Sequence, residues 1–140
     1  MQYIKFLQGL PGSGKSTFAK RVVELNKDYV IVSRSEISKI VEDVPYTEEI
    51  HDSVFELQKI ICKIFLSSGK SVLLDDMNFA PKYWEYFSEL SVSRGIHIER
   101  IFFDVPVEEC IDRDSKREKP IGKVAIELAY TKYLKGKNHE

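Results

Sequence analysis

The chain has 140 residues, 43% hydrophobic and 31% charged, with 21 Lys and Arg against 22 Asp and Glu, for a formal net charge of −1. That balance fits one soluble domain large enough to bury a real core. It excludes the overall positive field of a duplex-gripping or membrane-surface protein and leaves room only for a local basic cluster at the end of a nucleic acid.

The elements follow in chain order. Tyr3 to Gln8 (YIKFLQ), Tyr29 to Ser33 (YVIVS), Ser71 to Asp76 (SVLLDD) and Ile98 to Val105 (IERIFFDV) are short, partly β-branched or aromatic runs that predict four strands. The longer segments between them predict helices. Phe18, Val22 and Leu25 keep helical spacing after the first strand. Ile50, Val54, Leu57, Ile61, Ile64 and Phe65 place an apolar stripe on a long helix ending before Gly69. Pro81 stands where a helix starts and Gly95 where it stops. Val124, Leu128, Tyr130 and Leu134 give the last helix a broad apolar face. Strands alternating with helices predict a parallel sheet whose ligands bind beyond the carboxyl ends of its strands. Cys62 and Cys110 lie far apart without metal-ligand spacing and read as reduced, half-buried helix residues. With no signal-like segment and no apolar run near about 18 residues, the expectation is a cytoplasmic protein with no membrane partner.

Gly9-Leu10-Pro11-Gly12-Ser13-Gly14-Lys15-Ser16 fits G-x-x-x-x-G-K-[ST], after a strand and into a helix. Gly12 and Gly14 let successive backbone N–H groups turn inward. The helix start adds its positive dipole end. Lys15 sets a full charge against the β- and γ-phosphates, and Ser16 offers a hydroxyl to Mg²⁺. Gly12, Ser13, Gly14, Lys15, Ser16 and Thr17 are thus the expected cradle of a nucleoside triphosphate. The strand ending in Asp75-Asp76 supplies an acid beside it. The two point to opposite sides, and Asp76, leading into Met77-Asn78, is taken as the metal-proximal carboxylate. Asp75 reads equally well as a cap of the turn.

Arg113 and Arg117, four apart with Lys116 beside them, form a basic helix end, and Lys119, Pro120 and Gly122 break the pattern after it. This reads as a mobile lid whose arginines neutralise charge on a transferring phosphoryl group. No N-K-x-D is present to read guanine, so a kinase is favoured over a GTP switch.

The residues now resemble a family. GLPGSGKSTFAK, LDDMNF and, most tellingly, IFFDVPVEECIDRDSKREKPIGKVAIELAYTKYL are similar to the kinase module of phage-type polynucleotide 5′-hydroxyl kinases, along almost the whole chain. The resemblance implies that 1–140 is a single P-loop kinase domain of α/β class, with about four parallel strands, flanking helices and a basic lid. It implies ATP and Mg²⁺ as cofactors, with Lys15 and Ser16 on phosphate and metal. Arg117 would meet the donor phosphates, with Arg113 and Lys116 supporting. Asp76 and Asn78 would lie on the acceptor side. The chain departs from the family at VSRSEISKI. Where the family carries a proton-accepting Asp and, three residues on, an Arg gripping the acceptor's phosphate, Ser35 and Ser38 stand here. Arg34 and Glu36 are kept in type. Ser35 is no base at neutral pH without help, so Glu36 is the candidate substitute base and Lys39 the candidate substitute cation.

The expected activity is ATP-dependent phosphoryl transfer to a hydroxyl, first of all the 5′ end of RNA or DNA, with Arg34, Ser35, Ser38, Asp76 and Asn78 facing the acceptor. A small-molecule kinase of the same fold and a catalytically weak NTP-binding module stay open, as does the oligomeric state.

Overall fold

The computed structural model describes residues 1–42, 44–45 and 47–136. Four strands form one parallel sheet: β1 (Tyr3–Gln8), β2 (Tyr29–Ile31), β3 (Ser71–Asp75) and β4 (His97–Phe102), in the order β2-β3-β1-β4. The helices between and after them are α1 (Lys15–Leu25), α2 (Arg34–Ser38), α3 (Glu48–Ser67), α4 (Pro81–Arg94), α5 (Val107–Ser115) and α6 (Lys123–Tyr133). No helix of the described residues is long and apolar enough to cross a membrane.

Strand alternation sends successive side chains to opposite faces, so a sheet covered on both sides carries two sets of apolar residues. Ile4, Phe6, Val72 and Leu74 enter one core with Val54, Cys62, Leu66, Phe87 and Leu90 of α3 and α4. Leu7 and Leu73 face the other way, against Ala19 of α1. A third cluster, Leu10, Cys110, Ile126 and Ala129, seats α5 and α6 under the loop that follows β1. The middle strands β1 and β3 are therefore almost wholly buried, while the edge strand β4 is half exposed.

The structure moves several helix faces relative to the sequence reading. The buried seam of α3 is Val54, Gln58, Cys62 and Leu66, with Leu57 and Ile64 exposed. A spacing of four drifts slowly round the helix, so one seam stays inward along its whole length. In α1 Ala19 is the buried side chain beyond Lys15, and Leu25 projects into solvent. In α6 Ile126 and Ala129 are buried, and Val124 and Leu128 are exposed. Both cysteines are fully buried and free. β2 stops at Ile31 because Ser33 turns the chain, its hydroxyl accepting the Glu36 N–H as a helix cap. β4 stops at Phe102, although the Phe103 N–H still reaches the Gln8 carbonyl at 2.8 Å. Pro81 and Gly95 bound α4 as the sequence indicates, Gly95 with φ +63°.

Candidate active site

Because all four strands are parallel, the segments after β1, β2 and β3 emerge along one sheet edge. The first is the glycine-rich loop. Gly12 and Gly14 have φ of +85° and +100°. A Cβ on Gly12 would stand 2.3 Å from the Cys110 carbonyl oxygen, so only glycine lets the loop lie against α5. The Gly9 N–H donates to the Met77 carbonyl at 3.2 Å, tying the loop to the turn after β3. Lys15 is buried, and its Nζ donates to the Gly9 and Leu10 carbonyls at 2.8 Å each. Burial pulls its pKa down to about 8. Asp75 and Asp76 pull it up, and Arg117 pushes it down further.

The segment after β3 divides its two acids. Ser16 Oγ donates to Asp75 Oδ2 at 2.8 Å. Asp75 therefore stands at the hydroxyl expected to meet a metal, the place the sequence reading had assigned to Asp76. Asp76 turns instead toward α2. It accepts the Arg34 N–H at 3.0 Å, the Ser35 N–H at 3.3 Å and the Gln58 side-chain amide at 3.1 Å, with the Arg34 guanidinium at 3.5 Å. Burial raises its pKa, against the opposing pull of the Arg34 charge and these donors.

Arg34 is the hub of the polar network beside Asp76. Its guanidinium donates to Gln58 Oε1 at 3.0 Å and Asn78 Oδ1 at 2.9 Å, and lies 3.5 Å over the Tyr83 ring. Asn78 is buried at φ +57°, its amide donating to the Leu7 and Leu74 carbonyls. A cleft of about 420 Å³ opens here, lined among others by Lys15, Ser16, Arg34, Ser35, Asp75 and Arg117. A second hollow is lined by Gly12, Gly14, Ser16, Thr17, Phe18, Arg21, Arg113 and Arg117. Ser16 and Arg117 belong to both.

The remaining candidates divide. Ser35 is exposed to the cleft, its hydroxyl 3.3 Å from that of Ser33. Glu36 points to solvent in an ion pair with Lys39 at 3.0 Å, and neither lines the cleft. Ser38 donates to the Ser35 carbonyl at 2.9 Å and lines a smaller hollow of about 200 Å³, together with Arg34, Ser35, His51, Lys82 and Tyr83. Arg113 donates to Glu109 at 2.6 Å and to the Gly12 carbonyl at 3.4 Å. Lys116 pairs with Asp112 on the outer surface. Arg117 lies beyond the end of α5, paired with the buried Asp114 at 3.7 Å.

Three residues of this site escape sequence reasoning. Gln58 carries a signal, a polar residue on an apolar helix seam. Tyr83 sits in a segment that reads as ordinary helix, and Asp114 is an acid within the basic lid stretch with no pattern of its own to mark it.

Residues 5–131 match a family model described as an AAA domain. The chain is 27% identical, over 146 aligned positions and 96% of its length, to the protein assigned as a bifunctional polynucleotide kinase/RNA ligase in Autographa californica nuclear polyhedrosis virus, of which it spans 21%. Its fold superposes with a TM-score of 0.76 and 27% identity on a chain of the Pnkp1/Rnl/Hen1 RNA repair complex, covering 94% of this chain and 45% of that one. It also superposes with a TM-score of 0.65 on the Mycobacterium tuberculosis APS kinase CysC in complex with AMPPNP and APS, covering 82% of this chain and 69% of that one; at 21% identity that likeness is one of fold. With one model running from the first strand into the last helix, the chain belongs to the AAA domain family, among its P-loop kinase members.

Proposed function

We propose that this domain transfers the γ-phosphoryl group of ATP to a hydroxyl, and that the acceptor is the 5′-hydroxyl end of RNA or DNA. The observation that carries the reading is the pair of hollows meeting at Ser16 and Arg117. A triphosphate along the glycine-rich loop would end where the acceptor cleft begins. Transfer needs little more than in-line placement of two oxygens and cations around the spreading charge. Arg117 lines both hollows, with Lys15 and Arg34 in the cleft and Arg21 and Arg113 in the second hollow.

Ser16 and Asp75 suit Mg²⁺, being hard oxygen donors already within 2.8 Å of one another. The described residues hold no cluster of three or more His, Cys, Asp or Glu able to bind a metal by themselves. An ion held by Ser16 and Asp75 would thus complete its shell with phosphate and water oxygens, and would neutralise phosphate charge there.

The acceptor side supports a polyanion. The hollow beside Ser35 and Ser38 is lined by Arg34, His51 and Lys82, with no carboxylate among its described lining. Arg34 and Lys82 can face the acceptor's own phosphate where Ser38 carries no charge. The viral relative and the RNA repair complex, by the words of their names, point the same way. Ser35 in the cleft favours the other reading, a domain that binds NTP and transfers little. Incubation with γ-labelled ATP and a 5′-hydroxyl RNA, a 5′-hydroxyl DNA or a nucleoside 3′-monophosphate separates them. Label is expected in the oligonucleotides. Label in none of the three, with ATP still bound, refutes the 5′-hydroxyl acceptor and leaves a small-molecule kinase or the binding module.

A further inference from the structure

Asp114 is the one carboxylate of α5 that the solvent does not reach: the residue is 1% exposed, while Glu108, Glu109 and Asp112 of the same helix lie on the surface. It stands at the helix end, and the chain beyond it loops out and returns to it. The Arg117 N–H donates to the Asp114 carbonyl at 3.0 Å as the loop leaves. As the loop comes back, the Ile121 N–H donates to Asp114 Oδ1 at 3.1 Å and the Gly122 N–H to Oδ2 at 2.9 Å. Arg117 Nε lies 3.7 Å from Oδ1. The Asp114 backbone carbonyl thus ties the outgoing foot of the loop, while its buried carboxylate ties the returning foot and faces the arginine. Gly122, which opens α6 with φ +106°, has no side-chain cap of its own. The loop is tethered where a mobile lid was expected, and two of its three tethered residues, Arg117 and Ile121, line the cleft.

We infer that Asp114 is the positioning residue of the lid: its carboxylate holds Arg117 in the place where the arginine meets the terminal phosphate. This rests on the proposed placing of Arg117 at the donor phosphates. A charged acceptor with fixed partners orients a guanidinium better than water does, because both its oxygens are already occupied by backbone N–H groups and cannot swing. The carboxylate never touches the nucleotide in this arrangement. Its effect passes through Arg117.

Calorimetric affinities for ATP and ADP test this without an acceptor. Arg117→Ala should reduce the preference for ATP over ADP by about tenfold, the size of one charge-assisted contact. Asp114→Asn keeps the shape but sets an amide N–H₂ against a backbone N–H. It should reduce the same preference by at least about threefold. Combined with Arg117→Ala it should add nothing, since a residue acting only through another has no effect once that one is gone. A purely structural role would lower both affinities alike and leave their ratio unchanged. Asp114→Asn retaining the full preference, or its loss multiplying with that of Arg117→Ala, overturns the inference. Arg117→Ala retaining the preference refutes the placing of Arg117 itself, which is a different failure. If Asp114→Asn does not fold, hydrogen exchange on the unaltered protein decides. The Ile121 and Gly122 amides should exchange at least about tenfold more slowly than those of Glu118 and Lys119, and equal rates overturn the tether.

Discussion

Ser35 lines the cleft with a hydroxyl, and Glu36 is turned outward onto Lys39; in the proposed transfer a carboxylate at position 35 would serve better than that hydroxyl. A positioned base contributes about 10²- to 10⁴-fold in rate. Ser35→Asp should therefore raise transfer to a 5′-hydroxyl oligonucleotide by at least about tenfold. An unchanged rate, measured with ATP saturating, would place the acceptor oxygen elsewhere. The two neighbouring acids should also separate by their variants. Asp75→Asn keeps an oxygen for the Ser16 hydroxyl but loses the charge, so the Mg²⁺ concentration needed for half-maximal ATP binding should rise about tenfold or more. Asp76→Asn should leave that titration in place, because Asp76 faces Arg34, and the reverse pattern would restore Asp76 as the metal carboxylate. Lys15 adds a pH signature. With a folded pKa near 8 and an ordinary value of 10.5, the folded chain gives up this proton first between those values. Stability from this group thus rises with pH across that window, its burial cost being full below pH 8. Triphosphate favours the charged form. ATP binding should then take up a fraction of a proton near pH 8 to 9, seen as a dependence of calorimetric heat on buffer ionisation. Lys15→Arg, charged throughout, should take up none.

At the scale of elements, the sequence reading found every strand and the long helices, and Phe18, Val22, Val54, Ile61, Phe65, Tyr130 and Leu134 pack on the cores as expected, but Leu25, Leu57, Ile64, Val124 and Leu128 are exposed. The reason is visible in α3. Its 20 residues hold more apolar side chains than one core can take, so Leu57, Ile60 and Ile64 fit a helical stripe yet lie outside. Periodicity locates a helix; the neighbours choose its face. What settles α3 is Gln58, fully buried among Val54, Cys62 and Leu66. Its amide donates to the Val32 carbonyl at 3.1 Å and to Asp76, and its carbonyl accepts from Arg34. Gln58→Leu should destabilise the domain by about 2 kcal/mol despite the gain in apolar surface, because it leaves buried polar groups unpartnered. A denaturation midpoint equal to that of the unaltered chain would refute this.

The whole molecule explains which parts of the site were legible. The glycine-rich loop is contiguous, so its eight-residue pattern carries its own context. The Arg34 network is assembled from segments far apart in sequence: Arg34 from α2, Gln58 from α3, Asn78 from the turn after β3 and Tyr83 from α4. No local pattern joins them. The sheet order β2-β3-β1-β4 does, because it sets the ends of β1 and β2 on either side of β3. The division of labour between Asp75 and Asp76 was out of reach for the same reason. Adjacent residues look alike in sequence, and only the register of β3 against β1, with Leu7 opposite Asp75, decides which one meets the loop.

The close approach of Gly12 to the Cys110 carbonyl makes the glycine-rich loop and α5 a joint without slack. Two parts touching backbone to backbone transmit displacement, since neither has a side chain to bend. Whatever pushes the glycine-rich loop moves the root of α5 with it, and relative motion is left to the loop beyond α5. Gly12→Ala inserts a wedge into that joint, in a conformation alanine resists as well. Parting the two surfaces should also uncover a thiol. Cys110 has no exposure, and burial raises its pKa, so it should resist alkylation in the unaltered protein. In Gly12→Ala it should react readily with a maleimide, while Cys62, equally buried and pushed up to about 12, stays silent in both. Equal inertness of Cys110 in both proteins would mean that the joint yields somewhere else.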